Sequence, residues 1–403
     1  MESYAGIDWA SEEHALCVVD GDGATLEGSL FAHTEEGLGA LIERVRALGV
    51  CRVAIERPNG LLVERLLEAG FAVLPVHPNK LAATRPRYQV SGGKSDGFDA
   101  FCLAELARTD SHRLRALRAH SDETKALRVL TRAREDMVRV RVRLANELRA
   151  QLDGFWPGAA RTFPAIDSRI ALAFLRRYPS PADARGLGEK RLAAFLERNG
   201  YSGRRSVTDL LERLRSAPVC SLGEVEAETR RAVVLGLVAA LEPVIAQVAE
   251  LDSRIARAVH AHPDAKVFAP LFKDPRSVLT TARLIAEIGD DRARYPSAET
   301  LAADAGVAPV ARESGKRKNA FFRRACDKRL RGAVSCLADA TRHHHPWARS
   351  VYLAARGRGL DHPHAIRILG RAWLRVLWRC WQDEVPYDPA KHGNLRRLQM
   401  AGG

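Results

Sequence analysis

Residues 4–32 read YAGIDWASEEHALCVVDGDGATLEGSLFA, and this stretch decides the fold. Short apolar runs at 4–9 and 15–20 predict two strands, and Asp20-Gly21-Asp22-Gly23 is a turn after the second. A third strand is expected over 26–32. Working outward, 34–48 has helical spacing, 51–56 (CRVAIE) returns to strand, and Asn59-Gly60 leads into a helix over 61–69. Residues 71–76 (FAVLPV) form a strand ending at His77-Pro78, and a helix from about 96 to 108 closes the domain. Three strands followed by helix, strand, helix and strand describe a three-layer α/β domain with a mixed sheet, close to the ribonuclease-H arrangement.

Beyond this domain the pattern turns helical. Residues 122–153 form one long polar-rich helix with apolar positions Leu127, Leu130, Met137, Val140, Leu144 and Leu148. Arg134 and Arg141 interrupt that seam, so it reads either as a solvent-facing helix or as a coiled-coil arm. Short helices over 160–220 are broken by Pro179, Pro181 and Gly203, and a second long helix spans about 222–260. The two long segments suggest an antiparallel stalk around a small insertion. Helices over 277–288, 297–305, 324–341, 346–356 and 361–382 predict an all-α C-terminal domain, with 306–320 non-helical and an irregular tail from Val385. The expected division is 1–115, 116–270, 271–385 and a tail at 386–403.

The chain has 403 residues, a size for two or three domains, and its 46% apolar and 28% charged residues exclude disorder as the main state. Its 63 Lys+Arg against 49 Asp+Glu give +14. Val310–Gly403 holds 20 basic and seven acidic residues, so nearly the whole excess lies in the last quarter. Codon bias explains a high Arg/Lys ratio but not that confinement, which marks a nucleic-acid surface. The seven cysteines form no CxxC pair, so a zinc ribbon or disulfide scaffold is not expected. The opening MESYAGIDWASEEH has no signal-peptide pattern and no apolar run reads as a membrane span, so a cytoplasmic protein with no membrane partner is expected.

Four carboxylates lie at element ends. Asp8 ends the first strand, Glu56 ends a later one, and Asp96 and Asp99 stand three apart at a helix start. Together they would repel unless a divalent cation such as Mg²⁺ joined them, and Mg²⁺ takes hard oxygen ligands suited to phosphoryl transfer. Asp96 as a helix cap and Glu56 as a surface charge are the structural alternatives. Ser314, between Glu313 and Gly315 and followed by Lys316, Arg317 and Lys318, reads as part of a basic phosphate-binding loop. Arg323, Arg324, Lys273, Arg276, Arg85 and Arg87 are further candidate nucleic-acid contacts, Arg85 and Arg87 because they flank Tyr88 near the acidic set. Three adjacent histidines, His343–His345, diverge on a helix and do not suggest a metal site. Trp373, Trp378 and Trp381 interleave with arginines and read either as core or as a base-stacking face. No GxxxxGK[ST] nucleotide-binding motif occurs, and no nucleotide cofactor is expected.

The motifs GIDWA (6–10), AIERPNG (54–60), HPNK (77–80) and KSDGFDA (94–100) resemble the N-terminal domain of the IS110 family of insertion-sequence transposases, the DEDD transposases. The core RAREDMVRVRVRLANEL (132–148) resembles that family's coiled-coil region. AEIGD (286–290), AADAGVAPV (302–310) and ESGK (313–316) resemble its C-terminal domain. The resemblance implies a RuvC-like domain with the acidic tetrad Asp8, Glu56, Asp96 and Asp99 holding Mg²⁺. It implies Ser314 as the nucleophile on a DNA phosphate, in a composite site whose two parts come from different subunits. It further implies donor and target double-stranded DNA, a non-coding bridge RNA as guide, and homodimers pairing into a homotetramer. One departure stands out: where relatives carry a PGIG hairpin before AEIGD, this chain has FKDPRS (272–277), which lacks both glycines of the tight turn and so puts backbone gripping of DNA there in doubt, with Lys273 and Arg276 as candidate side-chain contacts to phosphate instead. Two other functions fit the residues alone: a RuvC-like structure-selective nuclease using metal-activated water, and a catalytically decayed basic DNA- or RNA-binding protein.

Overall fold

The computed structural model describes the chain except for Met1, Arg57 and residues 90–94, 273–276, 315–316 and 402–403; the side chains of 313–318 and 398–401 also lie outside the description. The chain divides into two compact units, one formed by Met1–Ser121 with Asp290–Thr300, the other by Asp122–Gly289 with Leu301–Gly403.

In the first unit, β1 (Ser3–Trp9), β2 (Glu13–Val19), β3 (Thr25–Ala32), β4 (Val50–Ile55) and β5 (Ala72–Pro75) form one sheet in the order β3-β2-β1-β4-β5. β1–β2 and β2–β3 are antiparallel, whereas β1–β4 and β4–β5 are parallel, so the sheet is mixed as the sequence predicts. Alternation along the strands supplies two apolar faces. Ala5, Ile7, Val53 and Ile55 pack with α1 (Glu35–Ala47) and α2 (Leu61–Glu68) through Leu38, Leu41, Leu62 and Leu66. Tyr4, Ala54, Leu74 and Val76 face the other way, against α4 (Asp96–Thr109) and Leu81 of α3 (Pro78–Tyr88). Helix α3 is not anticipated by the sequence reading. It starts with His77 as N-cap and Pro78 in the first turn, and Pro86 inside it masks the helical pattern.

Residues 290–300 pack in this unit. Asp290 accepts hydrogen bonds from the Ser121 backbone N–H (2.9 Å) and pairs with His120 Nδ1 (2.7 Å). Burial pushes its carboxyl up, but hydrogen bonds from Ser121 and His120 outweigh this and hold it well below the carboxylate range.

The second unit is built on α5 (Asp122–Asp153) and α10 (Glu224–Ala261). Thr124 meets His262 (2.9 Å), Arg134 meets Asp252 (2.6 Å), and Leu148 and Leu152 share a core with Val234 and Val238, so the two helices run antiparallel. α6 (Pro157–Thr162), α7 (Arg169–Arg177), α8 (Glu189–Arg198) and α9 (Val207–Arg215) fill the same core with Phe155, Trp156, Phe174 and Phe195. α10 is long and apolar enough to cross a membrane by length and composition alone, although the apolar-run reading of the sequence discounts it. Its Val234, Val238, Leu241, Val248, Leu251, Ile255 and Val259 are nonetheless buried in the protein, at the spacing of one helix face.

α11 (Ala265–Phe268), α12 (Val278–Ile288) and α13 (Ala298–Asp304) follow, then β6 (Val310–Ser314), β7 (Arg317–Phe321), α14 (Lys328–His344), α15 (Pro346–Gly357), α16 (His362–Gln382) and α17 (Gly393–Ala401). The hairpin β6–β7 corrects the expectation of an all-α C-terminal part: the stretch read as non-helical pairs its backbone in an antiparallel ladder, Val310–Ser314 against Arg317–Phe321. The tail is also more ordered than expected. The Tyr387 hydroxyl bridges His345 Nε2 (2.9 Å) and His392 Nδ1 (2.8 Å), and α17 follows directly.

Candidate active site

The parallel pairing of β1 with β4 sets Ile7 beside Ile55, both on the α1/α2 face. Alternation therefore places the next residues, Asp8 and Glu56, on the α4 face at the C-terminal ends of neighbouring strands. α4 crosses that face against Gly6: a Cβ there would lie 2.0 Å from the Ala100 carbonyl oxygen and 2.2 Å from the Ala104 nitrogen. At the far end of α4, Arg108 Nη1 donates to the Gly21 carbonyl (3.2 Å), in the turn beside the start of β1. α4 thus runs antiparallel to β1, and its first turn, with Asp96 and Asp99, lies at the Asp8 end of the sheet. All four carboxylates occur at one edge of this unit. Ser95 caps the helix by accepting from the Phe98 N–H (3.2 Å), so Asp96 is not the cap. The helix N-terminus favours the negative charge of Asp96 and Asp99.

Their surroundings differ. Asp96 is exposed, Asp8 and Glu56 are half-buried, and Asp99 is 2% exposed. Both oxygens of Asp99 are taken by Arg85: Nε donates to Oδ1 at 2.5 Å and Nη2 to Oδ2 at 2.8 Å. Hydrogen bonding to Asp99 raises the Arg85 pKa, and the charge of Glu56 adds to the rise. Arg85, expected as a nucleic-acid contact, therefore sits within the acidic set, while Arg87 is exposed and lies over the Tyr88 ring at 5.5 Å. Among the described residues no three His, Cys, Asp or Glu side chains stand close enough to grip a metal ion as they lie. The donor set nonetheless suits a hard cation, since it is carboxylate throughout and already holds one positive group, the Arg85 guanidinium.

The sequence reading misses a second buried acid. Glu105, 3% exposed, accepts from Arg108 Nε (2.8 Å), Arg108 Nη2 (2.8 Å) and the Tyr88 hydroxyl (2.9 Å), tying α3 to α4. Lys80 Nζ meets Asp110 at 2.9 Å and makes a second tie between those helices' ends. Of these residues only Lys80 lies in one of the motifs, HPNK, and only the presence of α3 brings the pairs together.

In the other unit, β6 ends at Ser314, which pairs across the ladder with Arg317, the first residue of β7. Lys273, Arg276 and Lys316 lie outside the described residues, as do the side chains of Ser314, Arg317 and Lys318. Arg323 Nε donates to the Ala308 carbonyl (3.2 Å), and Arg324 is exposed. Arg312 and Arg331, which sequence reasoning missed, and Arg367, which it read as one of the arginines interleaved with the tryptophans, gather on two phenylalanines. Arg312 lies over Phe321 at 5.1 Å, and Arg331 (4.6 Å) and Arg367 (4.8 Å) lie over Phe322, with both rings nearly half exposed. The adjacent Phe-Phe-Arg-Arg at 321–324 is the sequence signal for this patch. Trp373 and Trp381 are buried, which settles them as core, and Trp373 Nε1 donates to Thr341 (2.8 Å). His345 is the N-cap of α15, a structural role.

Comparison with known proteins supplies the class. A family model described as "Transposase" matches residues 5–157, and a second, "Transposase IS116/IS110/IS902 family", matches 277–353. The chain belongs to the IS110 family of insertion-sequence transposases. It is 32% identical over 398 residues to the "Mini-circle putative transposase for IS117" of Streptomyces coelicolor, covering 96% of this chain and 95% of that one. It is 31% identical to the "Insertion element IS900 uncharacterized 42 kDa protein" of Mycobacterium paratuberculosis, covering 96% and 97%. The "Insertion element IS116 uncharacterized 44.8 kDa protein" of Streptomyces clavuligerus is 30% identical, with 96% of each chain covered.

Proposed function

We propose that this transposase cuts and exchanges DNA strands by phosphoryl transfer, with Asp8, Glu56, Asp96 and Asp99 as the ligands of Mg²⁺ and Ser314 as the nucleophile. The observation that carries the proposal is the placing of Asp8 and Glu56 on neighbouring parallel strands, with the first turn of α4 at the same edge. That frame supports reading the first unit as a RuvC-like domain. When bound, a divalent cation supplies polarisation of the scissile phosphate and stabilises the developing oxyanion.

The chain's own residues account for the rest. Ser314 ends a strand opposite Arg317 and precedes further basic residues in the sequence, a concentration of charge that favours a phosphate in this part of the chain. Attack by the Ser314 hydroxyl forms a serine–phosphate ester and breaks the bond to the 3′ or 5′ oxygen of the cut strand, which leaves as a hydroxyl, a proton being lost by the serine and one gained by the leaving oxygen. The ester keeps the energy of the broken bond for rejoining, and no nucleotide cofactor is needed. Lys316, Arg317, Lys318, Arg323 and Arg324, with Lys273 and Arg276, hold DNA backbone, and the exposed Arg87 does so beside Tyr88. A bridge RNA directs the choice of DNA, and dimers pair into a tetramer around donor and target.

The test is strand cutting by the purified full chain. Cutting that needs Mg²⁺ and is lost in Asp8→Asn and Glu56→Gln supports the reading. Wild-type protein that binds DNA but never cuts it with Mg²⁺ and RNA present identifies a binding protein instead.

A further inference from the structure

In the free protein Arg85 engages both oxygens of Asp99 and competes with any metal ion for that carboxylate. Its two oxygens are both hydrogen-bonded to one guanidinium, the carboxylate is almost wholly buried, and Glu56 acts on the same cation. A divalent cation arriving beside Arg85 would meet like charge in a poorly screened setting. We propose that Arg85 is a positioning residue that keeps Asp99 paired in the free protein and leaves it for a backbone phosphate of the bound nucleic acid, so that metal and nucleic acid enter together. This inference rests on the metal-holding role of the acidic set.

Three features support the exchange. First, a guanidinium fork fits carboxylate and phosphate alike, both through two parallel N–H···O bonds. Arg85 can therefore trade one anion for another without losing its hydrogen bonds. Second, its helix is fastened independently. Tyr88 holds Glu105, Lys80 holds Asp110, and Leu81 is fully buried, so α3 stays on α4 while the Arg85 side chain turns. Third, about a quarter of the Arg85 side chain is open to solvent, and Arg87, two residues on, is exposed. A phosphate can thus approach the guanidinium from outside while Asp99 lies beneath it.

The charges can be followed: Arg85 (+1) leaves Asp99 for a phosphate (−1), and the divalent cation (+2) that replaces it is offset by Asp99 together with another carboxylate of the set. Because coupling between two ligands is reciprocal, nucleic acid must tighten metal binding by the same factor as metal tightens nucleic-acid binding.

The experiment titrates the full chain with Mn²⁺, read by the paramagnetic resonance of the free ion, with and without a short DNA duplex. Wild type should bind Mn²⁺ weakly alone and about tenfold more tightly with the duplex, the scale of one charge-assisted pair. Arg85→Ala should already bind Mn²⁺ about tenfold more tightly than wild type without DNA, and gain little from it. Arg85→Gln, close in size, should behave likewise, and circular dichroism reports whether each variant is folded. If Asp99→Asn abolishes Mn²⁺ binding while folded Arg85→Ala and Arg85→Gln bind as wild type or more weakly, the Arg85 role is overturned and the acidic metal site stands. If none of the proteins binds Mn²⁺ even with DNA, the metal-holding role falls and this inference with it.

Discussion

Gly6 on β1 lies directly beneath Ala100 of α4, so close that a Cβ at position 6 would stand 2.0 Å from the Ala100 carbonyl oxygen. This contact sets the height and register of α4 over the sheet. It therefore decides where Asp96 and Asp99 sit relative to Asp8, two residues further along the same strand face. Gly6→Ala cannot be absorbed by a side-chain shift, because the clashing atoms are backbone. It should destabilise the first unit by about 3 kcal/mol or more. Urea denaturation followed by circular dichroism checks this; a loss under about 0.5 kcal/mol would contradict the packing described.

The first unit should also lose stability in mild acid through His14. His14 is fully buried, its Nε2 meets His33 Nδ1 at 2.8 Å, and its Nδ1 has no hydrogen-bond partner among the described residues. Burial, with the neighbouring His33 adding to it, lowers its pKa from 6.5 to about 4. The unfolded chain then binds the extra proton between those values, so stability is present above pH 6.5 and declines as the pH falls toward about 4. The contribution is at most roughly 3 kcal/mol. Unfolding free energies at several pH values should show a slope that flattens in His14→Gln; an equal slope in both proteins would contradict it.

In the second unit, Arg132 on α5 grips Glu287 on α12 with two bonds, Nε–Oε1 at 3.0 Å and Nη2–Oε2 at 2.7 Å, and Glu287 is 4% exposed. Arg132→Ala leaves a buried carboxylate without its cation and should cost about 3 kcal/mol. The double variant Arg132→Met/Glu287→Leu should recover most of that loss, because no charge is then buried. Calorimetric melting temperatures of the three proteins report the comparison, and a double variant no better than Arg132→Ala would contradict the assignment.

Much of this architecture is legible in the sequence because single physical signals dominate. Alternation and the D-G-D-G turn give β1 to β3, and the spacing of Val234, Val238, Leu241, Val248 and Leu251 gives the buried face of α10. The same alternation brings Asp8 and Glu56 to one edge. The misses arise where local signals conflict or where partners are distant. Pro86 speaks against a helix that Tyr88, Leu81 and Lys80 hold in place by tertiary contacts. Without α3, the Arg85–Asp99 and Tyr88–Glu105 pairs cannot be seen, and Arg85 reads as a free basic side chain. The β6–β7 ladder is hidden for another reason: the sequence of 310–321 is rich in charged residues and carries no apolar period.

Attack of Ser314 on DNA would leave a covalent bond between protein and strand, and that bond can be sought directly. Wild-type protein incubated with Mg²⁺, guide RNA and labelled DNA, then denatured, should carry DNA covalently, and mass spectrometry should place the phosphate on Ser314. Ser314→Ala should bind the same DNA and form no adduct. Full strand cutting by Ser314→Ala, or cutting by wild type with no adduct at any time, would contradict the claim and identify water as the nucleophile.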